Sequence, residues 1–438
     1  MIQPSTLPGM MELLPEEQLV FDKIKRQIED VFIQNSFFGI DTPAIEKLDI
    51  LLSKGGGETS KQVYKIDSSK KNQGLRFDLT VPLAKYVSLY MQDIAFPFRR
   101  YQIAKVYRGE RNQKGRYKEF YQCDIDIIGH EKLSLFNDAE IVKCMFEALK
   151  KINIPDFEFH YNNRKLLNGY FSYLGIKDFE SYLRIIDKLD KIGLELVKEE
   201  LSKIGLDNNK IEAILKFLNI NGNNKEIIEK LESLKIDDEL FTIGLYELKF
   251  VYEKILSLGV NEDNIKINLS ITRGLDYYTG SVFETFLKDY REIGSICSGG
   301  RYDNLASNFT KSNLPGVGMS IGLTRLFYQL QELGLIQNQK YNLDCIIIPM
   351  EGFENNAVKL MNDLRKSSIK CMSYLENDKL KKKFNYADKL SVKYVIIIGQ
   401  DEVEHNKFTL RDMKSGEQKL LSFDEIINNL KWGYEKSE

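Results

Sequence analysis

Hydrophobic and polar residues alternate along the stretch from residue 98 to residue 129. Its β-branched and aromatic residues predict strands over Tyr101–Glu110 and Phe120–Ile128, and the polar segment Arg111–Lys118 predicts the turn between them. Side chains alternate between the faces of a strand, so the pattern gathers one set on a single face of this hairpin: Val106, Arg108, Glu110, Phe120, Gln122, Asp124 and Asp126. Such a face suits a charged, ring-bearing ligand, but composition alone leaves an ordinary solvated sheet face open.

The region before this hairpin predicts a helix, an extended segment and a strand that leads into a second helix. Apolar residues at helical spacing predict an amphipathic helix over Pro15–Phe32, and an extended segment with Pro43 follows. Leu75–Tyr86 predicts a strand running into a helix that begins near Thr80. This arrangement would direct Asp78 and Thr80 into a cleft from the end of the strand.

The middle of the chain has a sequence pattern typical of helices, followed by one typical of strands. Helical periodicity dominates from about Arg164 to about Val260 and predicts a helical insertion within one larger domain. Strand texture returns at Ile265–Ile271, and Leu314–Phe327 predicts a glycine-rich strand that leads into a helix, with Arg325 one turn in. Three glycines in that strand are expected to permit close approach of the backbone: Gly316, Gly318 and Gly322.

The last hundred residues predict a separate unit after a polar linker at residues 337–341. Strands alternate with helices from residue 342 to residue 438, which is typical of a small, mostly parallel α/β domain. One of its predicted helices, Lys379–Leu390, is basic. Its lysines are expected to offer contacts to phosphate groups: Lys379, Lys381, Lys382 and Lys383.

Length and charge limit the class of protein. A chain of 438 residues is too long for one core, so two or three domains are expected. A net charge of −2 argues against a globally basic nucleic-acid binder, so an RNA partner must be held by local basic patches. Five scattered cysteines fit neither a disulfide framework nor a zinc site and favour a reducing cytoplasm. No apolar run is long enough to predict a membrane span.

Five sequence strings together resemble one family. The hairpin resembles motif 2 of the class II aminoacyl-tRNA synthetases in its histidyl form. RGLDYYTG at 273–280 resembles the histidine-specific motif of histidyl-tRNA synthetases, and GVGMSIGLTRL at 316–326 resembles their motif 3. DLT at 78–80 and GGRYD at 299–303 extend the match over nearly the full length. The chain departs from the family in having DLT where other members have glutamate, and Asn112 where many have proline.

The resemblance implies an α/β (α+β) fold with a class II antiparallel-sheet catalytic domain at 1–336, interrupted by the helical insertion at 164–260. It also implies an anticodon-binding domain at 342–438. The reaction would join L-histidine to ATP, release pyrophosphate and transfer histidine to the terminal adenosine of its tRNA. ATP would act as a substrate with Mg²⁺, without an organic cofactor and without dedicated protein ligands for a metal. A homodimer is implied because the first helix and the Pro43 segment resemble motif 1.

The resemblance also assigns residues to roles. Arg108 and Arg273 would be catalytic cations at the α-phosphate, where two anions must be brought together. The ATP-binding set would be Arg108, Glu110, Arg116, Phe120 and Arg325, with Phe120 and Arg325 enclosing the adenine ring. The histidine-binding set would be Asp78, Thr80, Arg108, Gln122, Asp126, Arg273, Tyr277, Tyr278 and Tyr302. Among these, Asp78, Thr80 and Gln122 would hold the ammonium group, and Asp126, Tyr278 and Tyr302 the imidazole.

Two other functions remain open at the level of sequence. The regulatory subunit of ATP phosphoribosyltransferase resembles the same catalytic core, but it typically lacks the last domain and has lost residues of motifs 2 and 3. A class II ligase for another amino acid, such as proline or threonine, is disfavoured by RGLDYYTG and by the lack of a Cys/His zinc constellation.

Overall fold

The computed structural model describes residues 2–53, 59–67, 72–110, 115–177, 179–187, 189–272, 278–337, 341 and 343–432. The chain divides into two compact units. The first contains Met1–Glu12 and Lys23–Ile336, and the second contains Leu13–Asp22 and Gln337–Glu438. Within the described residues, no helix is both long and apolar enough to cross a membrane.

Helices and strands alternate along much of the chain, and within the described residues seven helices follow one another between residues 164 and 257. The α-helices are α1 (Pro15–Gln34), α2 (Leu48–Leu51), α3 (Thr59–Gln62), α4 (Thr80–Leu89), α5 (Phe136–Lys151), α6 (Arg164–Tyr173), α7 (Phe179–Ile186), α8 (Leu189–Ile192), α9 (Leu194–Lys203), α10 (Asn208–Leu218), α11 (Asn224–Ser233), α12 (Glu239–Ser257), α13 (Leu323–Glu332), α14 (Glu354–Lys366), α15 (Leu380–Lys389), α16 (Gln400–His405) and α17 (Phe423–Trp432). Short 3₁₀ helices lie at Glu262–Asn264 and Arg291–Ile293.

The strands are β1 (Phe38–Gly39), β2 (Ile45–Lys47), β3 (Lys65–Ile66), β4 (Gln73–Leu75), β5 (Phe98–Tyr107), β6 (Glu119–Ile128), β7 (Phe157–Asn163), β8 (Ile265–Ile267), β9 (Ser281–Leu287), β10 (Cys297–Tyr302), β11 (Gly316–Gly322), β12 (Cys345–Pro349), β13 (Cys371–Ser373), β14 (Tyr394–Ile398), β15 (Phe408–Asp412) and β16 (Gln418–Leu421).

An eight-stranded sheet forms the centre of the first unit, in the order β1-β5-β6-β11-β10-β9-β7-β8. Its six central strands are antiparallel to their neighbours, and a parallel strand is added at each edge. Helix α5 packs on β6 and β11. The alternate residues Cys123, Ile125 and Ile127 of β6 are fully buried, as the predicted alternation requires.

The predicted hairpin is confirmed as β5 and β6, but its first strand is displaced. The strand begins at Phe98 and ends at Tyr107, so Arg108 and Glu110 lie beyond its end. The N–H of Arg108 still donates to the carbonyl of Lys118 across the hairpin, while the N–H of Tyr107 donates to the carbonyl of Arg76 and the N–H of Gly109 to that of Gln62 on the other side. Arg108 and Glu110 both line the cavity described below.

The region predicted as a helical insertion contains helices α6–α12, which lie between β7 and β8 in sequence. Helices α6 and α12 approach each other closely at two glycines. A Cβ atom added to Gly169 would lie 2.2 Å from the backbone nitrogen of Phe241, and one added to Gly244 would lie 2.2 Å from that of Leu166. The absence of side chains at these two positions therefore permits the backbones to pack against each other.

The second unit contains a five-stranded sheet in the order β13-β12-β14-β15-β16. Strands β13, β12 and β14 are parallel, and β15 and β16 form an antiparallel hairpin added to that edge. Helices α14 and α17 cover buried residues on one face, including Ile347, Ile396 and Leu410.

Candidate active site

A cavity of about 370 Å³ opens in the first unit, where strands β6, β10 and β11 meet the chain segments before α4 and after β5. Eleven of the predicted site residues line it: Asp78, Thr80, Arg108, Glu110, Arg116, Phe120, Gln122, Asp126, Tyr278, Tyr302 and Arg325. The remaining two, Arg273 and Tyr277, lie outside the described residues, as does Asn112. The structure therefore brings together every predicted site residue that it describes.

Asp126 forms the buried end of the cavity together with a tyrosine and an arginine. Its Oδ1 accepts a hydrogen bond from the hydroxyl of Tyr302 at 2.6 Å, and its Oδ2 lies 2.6 Å from an Nη2 of Arg100. Asp126 is 3% exposed and Arg100 is fully buried. These contacts fix the orientation of the carboxylate, and an ionised carboxylate has further lone pairs with which to accept from a ligand.

Glycines make room for this arrangement. A Cβ atom added to Gly318 would lie 2.0 Å from Oδ1 of Asp126, and one added to Gly316 would lie 2.3 Å from the ring of Tyr302. The predicted close approach is therefore confirmed at these two positions. It is wrong at Gly322, where an added Cβ atom meets no protein atom within 4 Å because the residue borders the open cavity.

The middle of the cavity presents hydrogen-bond acceptors. The side-chain amide of Gln122 donates from Nε2 to Oγ of Ser320 at 2.8 Å, and its Oε1 has no hydrogen-bond partner among the described residues. Oδ1 of Asp124 is likewise buried and without such a partner there. Asp78 accepts the N–H of Val81 at 3.0 Å through Oδ1, which caps the start of helix α4. Buried acceptors without donors are rare in proteins and favour a ligand that supplies the donors.

Burial makes the carboxyl groups of the cavity hard to ionise. It raises the pKa of Asp124 to about 7, with Arg100 opposing the rise and Asp126 adding to it. It also raises the pKa of Asp126 to about 6, against the opposing effects of Arg100 and the Tyr302 hydroxyl. The pKa of Asp78 is raised by burial as well, despite the Val81 N–H and nearby Arg108. A bound cation would favour the charged forms of all three.

The outer part of the cavity carries the predicted ATP-binding residues. The guanidinium group of Arg108 lies 4.4 Å from the ring centre of Phe77 and 5.1 Å from that of Phe120, and its Nε donates to the carbonyl of Phe77 at 3.2 Å. These contacts orient its remaining donors. Glu110 and Arg116, both assigned to ATP, form an ion pair with each other at 3.4 Å.

Arg325 lies on the first turn of helix α13, where its Nη2 donates to the carbonyl of Ile293 at 2.5 Å. Burial lowers the pKa of its guanidinium group, and the nearby positive charge of Arg116 lowers it further. A polyanion placed between Arg116 and Arg325 would remove that unfavourable interaction.

Arg100 and Ser320 are site residues that the sequence reasoning missed, and Asp124 was predicted on the ligand-facing side of the hairpin but was given no role. Arg100 is paired directly with Asp126 across the β5–β6 ladder, and Ser320 with Asp124 across the β6–β11 ladder. The alternation that selected Arg108 also contains Arg100, eight residues earlier, and would have found it if the strand had been extended to Phe98. The partnership of Ser320 had no signal in the sequence, because it depends on the pairing of distant strands.

In the second unit, one of the lysines expected to contact phosphate groups is buried instead. Lys383 is 6% exposed, and its Nζ donates to the carbonyl of Pro349 at 2.9 Å. The prediction for this residue is therefore wrong, because its position on helix α15 faces the end of strand β12. Lys379, Lys381 and Lys382 are exposed, and Lys382 forms an ion pair with Asp378 at 2.9 Å.

Comparison with known proteins agrees with this geometry. Residues 9–326 match the family model described as "Histidyl-tRNA synthetase", and residues 344–432 match the one described as "Anticodon binding domain". A histidine–tRNA ligase from Finegoldia magna is 82% identical over 431 residues, which span 98% of this chain and 100% of that protein.

Two solved structures extend the comparison. The crystal structure of histidyl-tRNA synthetase from a Nostoc species has a TM-score of 0.87 at 36% identity, covering 99% of this chain and 100% of that one. An ATP phosphoribosyltransferase regulatory subunit/histidyl-tRNA synthetase from Bacillus halodurans has a TM-score of 0.76 at 23% identity and covers 91% of this chain and 99% of that one, which establishes a shared fold alone. With its family model matched over most of the chain, the protein belongs to the histidyl-tRNA synthetase family.

Proposed function

We propose that the cavity of the first unit is the site in which this histidine–tRNA ligase activates histidine with ATP. The observation that carries the proposal is that one cavity collects the eleven described residues assigned to the two substrates from sequence alone. They range from residue 78 to residue 325 and come from separate strands, loops and a helix. Polar residues that lie so far apart in the sequence and had only structural roles would not be expected to line the same open cavity.

In the first step an oxygen of the histidine carboxylate attacks the α-phosphorus of ATP. The bond from the α-phosphorus to the bridging oxygen of the β-phosphate breaks, and pyrophosphate leaves with the bonding electron pair. In the second step a hydroxyl of the terminal adenosine of tRNA attacks the carbonyl carbon of the adenylate and AMP leaves. The attacking groups belong to the substrates, so the protein contributes positioning and electrostatic stabilisation.

Arg108 would hold the histidine carboxylate and the α-phosphate together through its planar fork of donors. Its enclosure between the rings of Phe77 and Phe120 supports this role, because the orientation is fixed before the substrates bind. Arg273 would supply a second cation at the α-phosphate. Glu110 would accept from the adenine amino group, with Phe120 and Arg325 enclosing the ring and Arg116 at the γ-phosphate.

Histidine would lie deeper in the cavity. Asp78, Thr80 and Gln122 would bind its ammonium group, an assignment supported by the Oε1 acceptor of Gln122 that has no partner among the described residues. Asp126 would accept from one ring nitrogen of the imidazole. The hydroxyl of Tyr278 would serve the other nitrogen, Tyr302 would hold Asp126 in place, and Tyr277 would complete the wall of the pocket.

ATP would enter with Mg²⁺ bound to its phosphate oxygens, as part of the substrate. Among the described residues, no group of three or more His, Cys, Asp and Glu side chains could hold a metal ion. The arginines would neutralise the phosphate charges that the metal leaves uncompensated.

The C-terminal residues 342–438 would bind the anticodon of the histidine tRNA, and residues 1–336, including the insertion at 164–260, would carry the chemistry. We also propose that the enzyme works in the cytoplasm as a homodimer. Exposed apolar side chains around the segment that resembles motif 1 support pairing of two subunits, including Phe38 (65% exposed) and Ile45 (50%). Sedimentation at low micromolar concentration should find a two-subunit species, and a fully active monomer would contradict this.

The function is tested by amino-acid-dependent exchange of pyrophosphate into ATP across all twenty amino acids. Histidine alone should support exchange, and purified protein should then charge histidine tRNA. Exchange with another amino acid, or none with any, would contradict the proposal. The regulatory-subunit function is disfavoured because the cavity retains the four charged residues expected at the nucleotide: Arg108, Glu110, Arg116 and Arg325.

A further inference from the structure

Strand β6 orders the cavity from one substrate to the other. Phe120, Gln122, Asp124 and Asp126 all line the cavity, at intervals of two residues. Strands rise by about 3.3 Å per residue, so the four side chains cover a span of about 20 Å. The proposed adenine site lies at Phe120 and the proposed imidazole site at Asp126. The α-carbon of histidine must lie between these sites, which is where Gln122 and Asp124 project into the cavity.

Asp124 has the properties of a ligand-binding group. It is 3% exposed, it lines the cavity, and its Oδ1 has no hydrogen-bond partner among the described residues. Its cross-strand neighbour Ser320 accepts from Gln122 and also forms a hydrogen bond with the Asp124 carboxylate, which leaves Oδ1 of Asp124 and Oε1 of Gln122 as the two acceptors without a donor among the described residues. Burying a carboxylate oxygen without a donor is costly, so the site is incomplete without a cation or another donor.

The charges that surround Asp124 do not provide this donor. Arg100 on β5 is in direct contact with Asp126, but its Nη2 is 4.0 Å from the nearer oxygen of Asp124. Asp126 on β6 and Asp78 before α4 are both negative when ionised, and each raises the pKa of Asp124. The inner part of the cavity therefore carries three carboxylates, Asp78, Asp124 and Asp126, and the buried Arg100 pairs directly with only one of them.

We propose that Asp124 is a further substrate-binding residue, whose carboxylate binds the α-ammonium group of histidine beside Gln122. The inference deepens the proposed function and rests on it. Asp78 is already engaged through Oδ1 in capping helix α4, so a second carboxylate supplies an acceptor that Asp78 alone does not. The acceptors around the three donors of the ammonium group are then Asp78, Thr80, Gln122 and Asp124, all of which line the cavity.

The test separates the ammonium from the imidazole with two analogues. L-Histidinol keeps the ammonium and imidazole groups, and 3-(imidazol-4-yl)propionate keeps the imidazole and carboxylate groups but lacks the ammonium. Dissociation constants are measured by calorimetry at pH 8 on the full-length protein. Asp124→Asn should weaken binding of histidine and histidinol by about 10- to 150-fold, the range for losing a hydrogen bond to a charged group. Binding of the propionate should change less than about twofold.

Asp126→Asn is the matched comparison and should weaken all three ligands, because each carries the imidazole. Asp363→Asn, an exposed surface change in the second unit, controls for the substitution itself. If Asp124→Asn fails to fold, Asp124→Ser removes the same charge with a smaller side chain. Equal weakening of all three ligands by the Asp124 variants, or no weakening, would overturn the proposal. If that happens while the wild-type protein binds histidine and catalyses exchange, the proposed function still holds. If the wild-type protein does neither, the proposed function and the role of Asp124 are both overturned.

Discussion

Replacing Gly318 with alanine puts a methyl group where the carboxylate of Asp126 lies. The added Cβ atom would be 2.0 Å from Oδ1 of Asp126, and real Cβ atoms essentially never come within 3.0 Å of another heavy atom. The carboxylate must therefore move by 3.0 − 2.0 = 1.0 Å or more, since the other close neighbour is the backbone carbonyl of Ile125 at 2.8 Å. A shift of this size in the direction away from Tyr302 would lengthen their 2.6 Å hydrogen bond to about 3.6 Å, beyond hydrogen-bond range, and a shift in another direction would still misplace the carboxylate that is proposed to accept from the imidazole.

Loss of a hydrogen bond to a charged group costs about 1.5–3 kcal/mol, which corresponds to about 10- to 150-fold in an equilibrium constant. We therefore expect Gly318→Ala to lower kcat/KM for histidine by that factor, with KM for ATP nearly unchanged. Pyrophosphate exchange at varied histidine and varied ATP separates the two effects. Gly322→Ala, whose added methyl group meets no protein atom within 4 Å, is the control for thermal stability. A folded Gly318→Ala protein with normal histidine kinetics would refute the reasoning.

Four further outcomes are expected. Tyr302→Phe removes a hydrogen bond that lowers the pKa of Asp126. The pKa of Asp126 should therefore rise above about 6, and KM for histidine should increase first at acidic pH. A KM that is unaffected at every pH would contradict this. Burial raises the pKa of Asp124 from 3.8 to about 7, so the folded protein binds a proton at this carboxyl group more tightly than the unfolded chain does. The stabilisation that this proton provides is full below about pH 4 and is lost as pH rises through 7. Asp124→Asn should therefore melt progressively higher than the ligand-free wild type across that window, and a gap independent of pH in calorimetric melting curves would be inconsistent with it. Arg273→Ala should slow adenylate formation by two orders of magnitude or more, since a lost electrostatic donor costs roughly 3–4 kcal/mol; a loss confined to histidine affinity would reassign the residue to substrate positioning. Truncation before residue 342 should preserve pyrophosphate exchange while abolishing tRNA charging, and equal charging by the shortened protein would reject the anticodon assignment.

Local pattern was sufficient to find the strand residues of the candidate site, and the family resemblance supplied Arg116, Tyr278, Tyr302 and Arg325. The alternation along β6 selected Gln122 and Asp126 because strand geometry has a period of two, whatever the strand pairs with. Gly316 and Gly318 were selected because a glycine within a strand signals close packing. These inferences depend on neighbouring residues only, so the sequence contains what they need.

Other features of the structure depend on contacts between segments that are far apart in the sequence. Asp124 and Ser320 become neighbours through the β6–β11 register, and 196 residues separate them in the chain. Lys383 was misassigned for a similar reason: a helix can bury one lysine of a basic cluster when a carbonyl such as that of Pro349 accepts from it. The chain at the end of β5 also forms hydrogen bonds to Arg76 and Gln62, which lie outside the hairpin and which the local pattern could not predict.

The arrangement of four ligand-facing side chains on β6 has a consequence for how this enzyme can change. A deletion of one residue between Phe120 and Asp126 would exchange the two faces of the strand beyond it. Ile125 and Ile127, which are fully buried, would turn to the cavity, and acidic side chains would enter the core. A substitution on this strand alters one side chain, so its effect can be small. A change in the length of the strand moves every side chain beyond it to the opposite face. Natural variation in this segment should therefore alter residue identity and leave the number of residues constant.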